Sequence, residues 1–331
     1  MRPLPGSPPR SITHGSWRTP SVVLVCGGII LTIALGTRHN FGLYLQPMTM
    51  DLGIGRAFPA EKRTTALGVA GAAGSFGQFV MLPYGQVLIN SIGWQQALLA
   101  LAITLVLIAP LSAALVEDKK AQAQIFHKQS IPEALREAFG HQGYLLLCAG
   151  YTVCGFQIMF ISVHFPAYLT DQKMSPETGM MALALIGLFN ILGSYVWGWL
   201  GGRHTKKYLL AALYFTRSAA IAVFILLPVT PASVYVFAAV IGFLWLGTVP
   251  LTSGVIAQVF GVKYMATLSG ISFFCHQIGS FIGVWLAGYL FDHTGSYQLM
   301  WVLTIAMGVV SAIVNLPIDE RPLLRPTIEP A

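Results

Sequence analysis

Long apolar runs separated by short polar breaks organise this chain. They cover residues 21–46, 64–90, 94–116, 143–169, 178–201, 208–228, 232–256, 264–290 and 297–317. A helix needs about 20 apolar residues to cross the hydrocarbon core of a bilayer, so each run predicts a membrane-spanning helix. Open strands are excluded there, because lipid cannot satisfy a strand edge. The sizeable polar stretch is Glu117 to His141. Within it, Ser130-Ile131-Pro132-Glu133 is a capping-box pattern with proline just inside a helix start. Ile131, Leu135 and Phe139 then share one face. That pattern predicts a short amphipathic helix on the membrane surface, joining two halves of the chain.

Composition agrees with a lipid environment. Of 331 residues, 55% are hydrophobic and 9% charged, against about 25% charged in an ordinary soluble domain. The formal net charge of +7 raises nucleic acid as a partner. The charges lie in the short breaks, however, and from Thr64 to Val116 there is none. No basic patch with interleaved aromatics can form, so the excess Lys and Arg reads as the positive-inside signature. Cys26, Cys148, Cys154 and Cys275 all lie in apolar runs. Their spacing suits neither a disulfide framework nor zinc, and they read as small core-packing thiols. Arg2, Arg10 and Arg18 precede the first apolar run in the manner of a secretory signal. The run continues to Leu45 and further spans follow, so it reads as a retained first helix.

The chain also echoes itself. A shift of 202 positions places Gly68, Gly77, Phe79 and Gly93 on Gly270, Gly279, Phe281 and Gly295. A shift of 124 places Phe41-Gly42-Leu43-Tyr44-Leu45 on Phe165-Pro166-Ala167-Tyr168-Leu169. Two parallel halves are a common transporter plan. The shift changes by 78 residues between Gly55 and Lys62, the length of three spans lying between Met180 and Gly261. The first half therefore reads as lacking three spans, with a deletion or mis-joined segment near residues 56–60. Topology gives the same answer. The tail at 1–20, the linker at 117–141 and the Gly201-to-Lys207 loop are all basic and should be cytoplasmic. Three spans cannot return the chain to the side where it started. The expected layout is a cytoplasmic tail (1–20), a truncated bundle of three spans (21–116), a linker (117–141), a six-helix bundle (142–317) and a cytoplasmic tail (318–331).

Motifs carry a family resemblance. Gly198-Trp199-Leu200-Gly201-Gly202-Arg203-His204-Thr205-Lys206-Lys207 resembles the cytoplasmic loop signature of the major facilitator superfamily. Gly202 stands in place of the signature's Asp, and Thr205 in place of its second Gly. Arg63 to Gly68, followed by Gly71, Gly74 and Gly77, resembles the start of the family's fifth span. Arg38-His39-Asn40-Phe41-Gly42 and Tyr297 resemble the oxalate/formate antiporter and monocarboxylate transporter-like branch. The resemblance implies an all-α membrane protein with a two-bundle fold, incomplete here, with about nine helices instead of twelve. It also implies transport of small carboxylates, often with protons, by alternating access.

Ionisable groups inside a span cost roughly 2.5–3.5 kcal/mol each by insertion scales, so each needs a reason. Arg38, His39, His164, Arg217 and His276 are such groups, and no Asp or Glu lies deep in any run. A cavity lined by Arg and His suits an anion. Arg38 can grip a carboxylate with two parallel hydrogen bonds, or it can snorkel to the interface. Ser269, Ser272, His276, Ser280 and Gly283 form one small, polar stripe, bordered by Gln277. That stripe either lines a cavity, where His276 could carry a proton, or binds a neighbouring helix. His164 matches Asn40 under the shift of 124, and Gln78 matches Ser280 under the shift of 202. Asn190 is central in its run. Arg38, Asn40, Gln78, His164, Asn190, His276 and Gln277 are therefore the candidate substrate contacts. Arg217 reads as structural, bonding backbone carbonyls.

The reading is a secondary carrier of small organic anions in the plasma (inner) membrane, not an enzyme, coupled to protons or to exchange. It needs no cofactor or metal and leaves the oligomeric state open. The alternatives are an incomplete variant without transport activity, a carrier for a different small solute, and a membrane sensor derived from a carrier.

Overall fold

The computed structural model describes residues 129–323 apart from 262 and 263, together with scattered helical positions between 84 and 106. The expected first span, the junction at 56–60 and the candidates Arg38, Asn40 and Gln78 lie outside the described residues. Six helices among the described residues are long and apolar enough to cross a membrane.

A short helix leads into the six. Helix α1 (Ile131–Gly140) begins where the capping pattern places it, with the Glu133 carboxylate accepting from the Ser130 backbone N–H at 2.7 Å. It buries Ala134 and Ala138, while Ile131 and Phe139 remain about half exposed. Leu135 packs against the core and Phe139 lies edge-on to Tyr144 of the next helix, ring centroids 6.1 Å apart.

The spans are α2 (Gln142–Asp171), α3 (Pro176–Gly201), α4 (Lys206–Leu226), a broken span made of α5 (Pro231–Phe243) and α6 (Thr248–Phe260), then α7 (Met265–Thr294) and α8 (Gln298–Asn315). Proline occupies the first turn of α3 and of α5, where its missing N–H costs nothing. Gly295, with φ of 66°, ends α7 in the left-handed conformation that glycine adopts without strain.

Packing follows three dominant pairs: α2 with α7, α3 with α5, and α4 with α8. Lipid offers no hydrophobic drive between helices, so close backbone approach and interhelical hydrogen bonds must hold them. Both are present. A Cβ on Gly155 of α2 would fall on the His276 carbonyl of α7, and one on Gly279 of α7 on the Thr152 carbonyl of α2. Tyr144 Oη donates to Leu268 O at 2.8 Å, tying α2 to α7. Gln157 Nε2 donates to Thr304 O at 2.9 Å, tying α2 to α8. At one end, Phe160, Phe165, Phe224, Phe237 and Trp301 interlock edge-to-face and stacked, with Phe224 and Phe237 centroids 4.1 Å apart.

The other end holds the α3–α4 loop, with Arg203, Lys206 and Lys207, and the segment after α8, with Arg321. Tyr264 Oη donates to Gln129 O, joining the α6–α7 turn to the segment before α1. The segment after α8 runs back across this end. Its Ile318 is buried, and Leu323 N donates to Val259 O at 3.0 Å. Its Glu320 carboxylate caps α4 by accepting from the Lys206 and Lys207 backbone N–H groups. The linker, the α3–α4 loop and the tail therefore share one face of the bundle.

Candidate functional site

The break between α5 and α6 is the centre of the polar interior. Pro250, in the first turn of α6, cannot donate to Leu246 O and its ring crowds that carbonyl. Four residues, Leu244 to Gly247, leave the helical path. Their backbone groups then need other partners, since nothing in a bilayer core replaces them. The Leu246 N–H donates to Asn190 Oδ1 of α3 at 3.0 Å. The Arg217 guanidinium of α4 donates from Nη2 to Leu244 O and, at 2.9 Å, to Trp245 O. It sits on the C-terminal end of α5, where a helix presents partial negative charge. Trp197 Nε1 donates to Phe243 O at 3.2 Å.

From the break the network continues across the bundle. Arg217 Nη1 reaches Gln157 Oε1 at 3.4 Å and Cys154 Sγ at 3.6 Å, both on α2. Cys154 Sγ lies 3.2 Å from Thr248 Oγ1, the first residue of α6. The His276 ring packs on Tyr151 and Phe273, with centroids 4.8 and 5.3 Å away, and its Nδ1 lies 3.2 Å from Gln277 Oε1. Arg217, Asn190 and Cys154 are fully buried and His276 is 3% exposed.

The sequence candidates therefore separate. His276 and Gln277 are in direct contact. The stripe of Ser269, Ser272, His276, Ser280 and Gly283 is buried, and at His276, Ser280 and Gly283 its partner is α2. Of the two readings of that stripe, the packing one describes this conformation. Asn190 serves the helix break and also accepts from Ser194 Oγ at 3.2 Å. His164 is half buried and ties three spans. Its Nε2 lies 3.0 Å from Val284 O, so Nε2 carries hydrogen, and its Nδ1 lies 3.2 Å from Tyr297 Oη. Nine residues of α2 separate His164 from Gly155, the residue that meets His276, which is about 13 Å along the helix axis. Arg217 binds backbone carbonyls, as its place in the sequence suggested. Gln157 and Thr248 were not singled out, and Cys154 was read only as a core-packing thiol. Pro250 with Gly247, inside one apolar run, was the signal that could have found the break.

The Major Facilitator Superfamily family model matches residues 45–284. The chain belongs to the major facilitator superfamily. Its relatives include an uncharacterized MFS-type transporter, YcxA, of Bacillus subtilis (strain 168), 26% identical over 76% of this chain and 63% of YcxA. They also include monocarboxylate transporter 12 of Mus musculus, 23% identical over 82% of this chain and 63% of that protein. Monocarboxylate transporter 13 of Rattus norvegicus is 26% identical over 83% of this chain and 63% of its own length. The chain thus spans under two thirds of the length of these curated relatives. Among solved structures, the E. coli fucose:proton symporter FucP superimposes with a TM-score of 0.56 at 17% identity, over 81% of this chain and 72% of that one. The likeness shows the fold. This is an integral, multi-pass membrane protein of a transporter family, not an enzyme.

Proposed function

We propose that the chain is a secondary carrier of small organic anions of the monocarboxylate or dicarboxylate type, working by alternating access with protons or by exchange. One observation carries this reading. Among the described residues, the ionisable groups deep in the spans are His164, Arg217 and His276, and Asp171, Glu177 and Asp292 lie only at span ends. An interior that holds cationic or proton-accepting groups and no carboxylate suits an anionic cargo. The names of the relatives, monocarboxylate transporters 12 and 13, agree with that cargo class.

In this reading His276 and Gln277 contact the substrate when the bundle rocks open, with His164 and Asn190 holding the spans that move. Arg38, Asn40 and Gln78 supply contacts from the first half. The face that gathers the linker, the α3–α4 loop and the tail is cytoplasmic, and the membrane is the plasma (inner) membrane. A second reading has a specific motive. The sequence repeat leaves three spans of the first half unmatched, and an incomplete first bundle would bind and move nothing.

The test is uptake of a labelled carboxylate panel into cells expressing the chain, at acidic and neutral external pH, beside His276→Ala. Uptake that rises with acidity and falls in the variant supports the carrier. No uptake by protein shown to be in the membrane, restored when three spans are inserted near residues 56–60, establishes the incomplete variant instead.

A further inference from the structure

The α3–α4 turn concentrates charge that the turn itself does not balance. Arg203, Lys206 and Lys207 fall within five residues, and no Asp or Glu occurs between Glu177 and Asp292. The link between the two spans is residues 202–205. At about 3.5 Å per residue it can rise and return only about 7 Å. The headgroup layer is about 5–7 Å thick. The link is also folded back on α3, since the Arg203 and His204 N–H groups donate to Leu200 O at 2.9 and 2.8 Å. The turn is therefore held at headgroup level.

One of the three cations is answered from within the bundle. Lys206 Nζ donates to Gln258 Oε1 at 2.7 Å. The Glu320 carboxylate accepts from the Lys206 and Lys207 backbone N–H groups, so the start of α4 is already capped. What is left over belongs to side chains. Arg203 is exposed, with its guanidinium 4.0 Å over the Trp199 ring, and Lys207 Nζ lies 5.3 Å over the Tyr208 ring. A ring face attracts a cation without neutralising it, and a guanidinium has five N–H donors to offer an acceptor. Among the described residues the one ion pair is Arg321 with Asp319, so neither Arg203 nor Lys207 is paired with a carboxylate. Trp199 is half buried and Tyr208 exposed, and such amphipathic rings belong at a membrane–water interface. Two held cations beside two interfacial rings, at the depth of lipid phosphates, fit an anion that is itself fixed at that depth.

We propose that the α3–α4 turn binds an anionic phospholipid, with the lipid phosphate between Arg203 and Lys207 and with Trp199 and Tyr208 against the glycerol end of its acyl chains. The inference does not rest on the carrier reading; a chain that transports nothing keeps the same surface.

The test reads the lipid beside Trp199. The chain has 7 Trp, and the difference between the wild type and Trp199→Phe isolates the Trp199 fluorescence. Full-length protein is reconstituted in phosphatidylcholine. Phosphatidylglycerol carrying a quencher near the glycerol end of one acyl chain is then titrated in, beside phosphatidylcholine carrying the same quencher. The labelled phosphatidylglycerol should quench Trp199 at the lower mole fraction. Arg203→Gln and Lys207→Gln should each lower that preference about fivefold. Arg203→Lys should keep most of it. Lys173→Gln, between α2 and α3 at the opposite end of α3, should leave it unchanged. Equal quenching by the two lipids overturns the proposal. So does a double variant, Arg203→Gln with Lys207→Gln, that keeps the wild-type preference, and so does a Lys173→Gln protein that loses it. A preference abolished by millimolar inorganic phosphate, but not by chloride at equal ionic strength, also overturns it, in favour of a soluble anion.

Discussion

Gly155→Ala tests the α2–α7 contact most sharply. The new Cβ would lie 2.8 Å from the His276 carbonyl carbon and 2.8 Å from Ser280 Oγ, with the carbonyl oxygen closer still. Carbon atoms pack best at about 3.5–4.0 Å, so the two helices must part by about 1 Å or more. Backbone is what the methyl meets, so no side-chain rotation relieves it. Overpacking of this kind costs about 1–3 kcal/mol. The separation would also stretch the Tyr144–Leu268 hydrogen bond and the contacts of His276 with α2. Gly279→Ala makes the reciprocal clash, 2.8 Å from the Thr152 carbonyl carbon. Because one separation accommodates both methyls, the double variant should lose less than the sum of the two single losses. The assay is thermal unfolding of the detergent-solubilised protein, followed by thiol-reactive dye or by size-exclusion of the surviving fraction. Singles as stable as the wild type, or strictly additive losses, would refute the contact as the clamp between α2 and α7.

Other parts of the structure give further expectations. Asn190→Leu should destabilise by about 1–3 kcal/mol, because it strips the Leu246 N–H of its acceptor in a buried site; the same thermal assay checks it. Tyr297→Phe removes the hydroxyl beside His164 Nδ1 and should cost about 0.5–1.5 kcal/mol, and the His164 ring signal in a selectively labelled NMR spectrum should shift. Glu320→Gln keeps an acceptor for α4 but loses the charge at its N-terminus, so a loss of about 0.3–1 kcal/mol, shrinking in high salt, is expected. Asp319 is held down to about 2 by hydrogen bonds from Arg321. Its depressed value means the pair contributes above the ordinary carboxyl range and is lost as pH falls through about 2. Arg321→Ala should return the Asp319 titration to that ordinary range, as followed by carboxyl NMR.

The elements were legible in the sequence wherever hydrophobic run length alone decides them. The six runs from residue 143 onward match six helices, and the ends differ by a few residues. The linker helix was equally clear, because Ser130, Pro132 and Glu133 are local signals. The broken span was harder. Its run is apolar from end to end, and the break shows only when Arg217 and Asn190 are seen to arrive from other helices and take the freed groups. The polar stripe on α7 was found, but a stripe of small polar residues has the same spacing whether it lines a cavity or meets a helix. Gly155 on the opposing helix is the partner of that stripe in this conformation, and no periodicity on α7 reveals it. Cys154 was hidden for a related reason. Its contacts come from Arg217 and Thr248, which are separated from it by 63 and 94 positions.

The central claim is that this chain carries small organic anions across a membrane, and counterflow tests it most directly. Purified protein would be reconstituted into proteoliposomes loaded with an unlabelled carboxylate, and labelled carboxylate supplied outside. The account predicts label accumulating above its external concentration in loaded vesicles, with no accumulation in empty ones and little with His276→Ala. Label that enters loaded and empty vesicles alike, or not at all across the carboxylate panel, would contradict it.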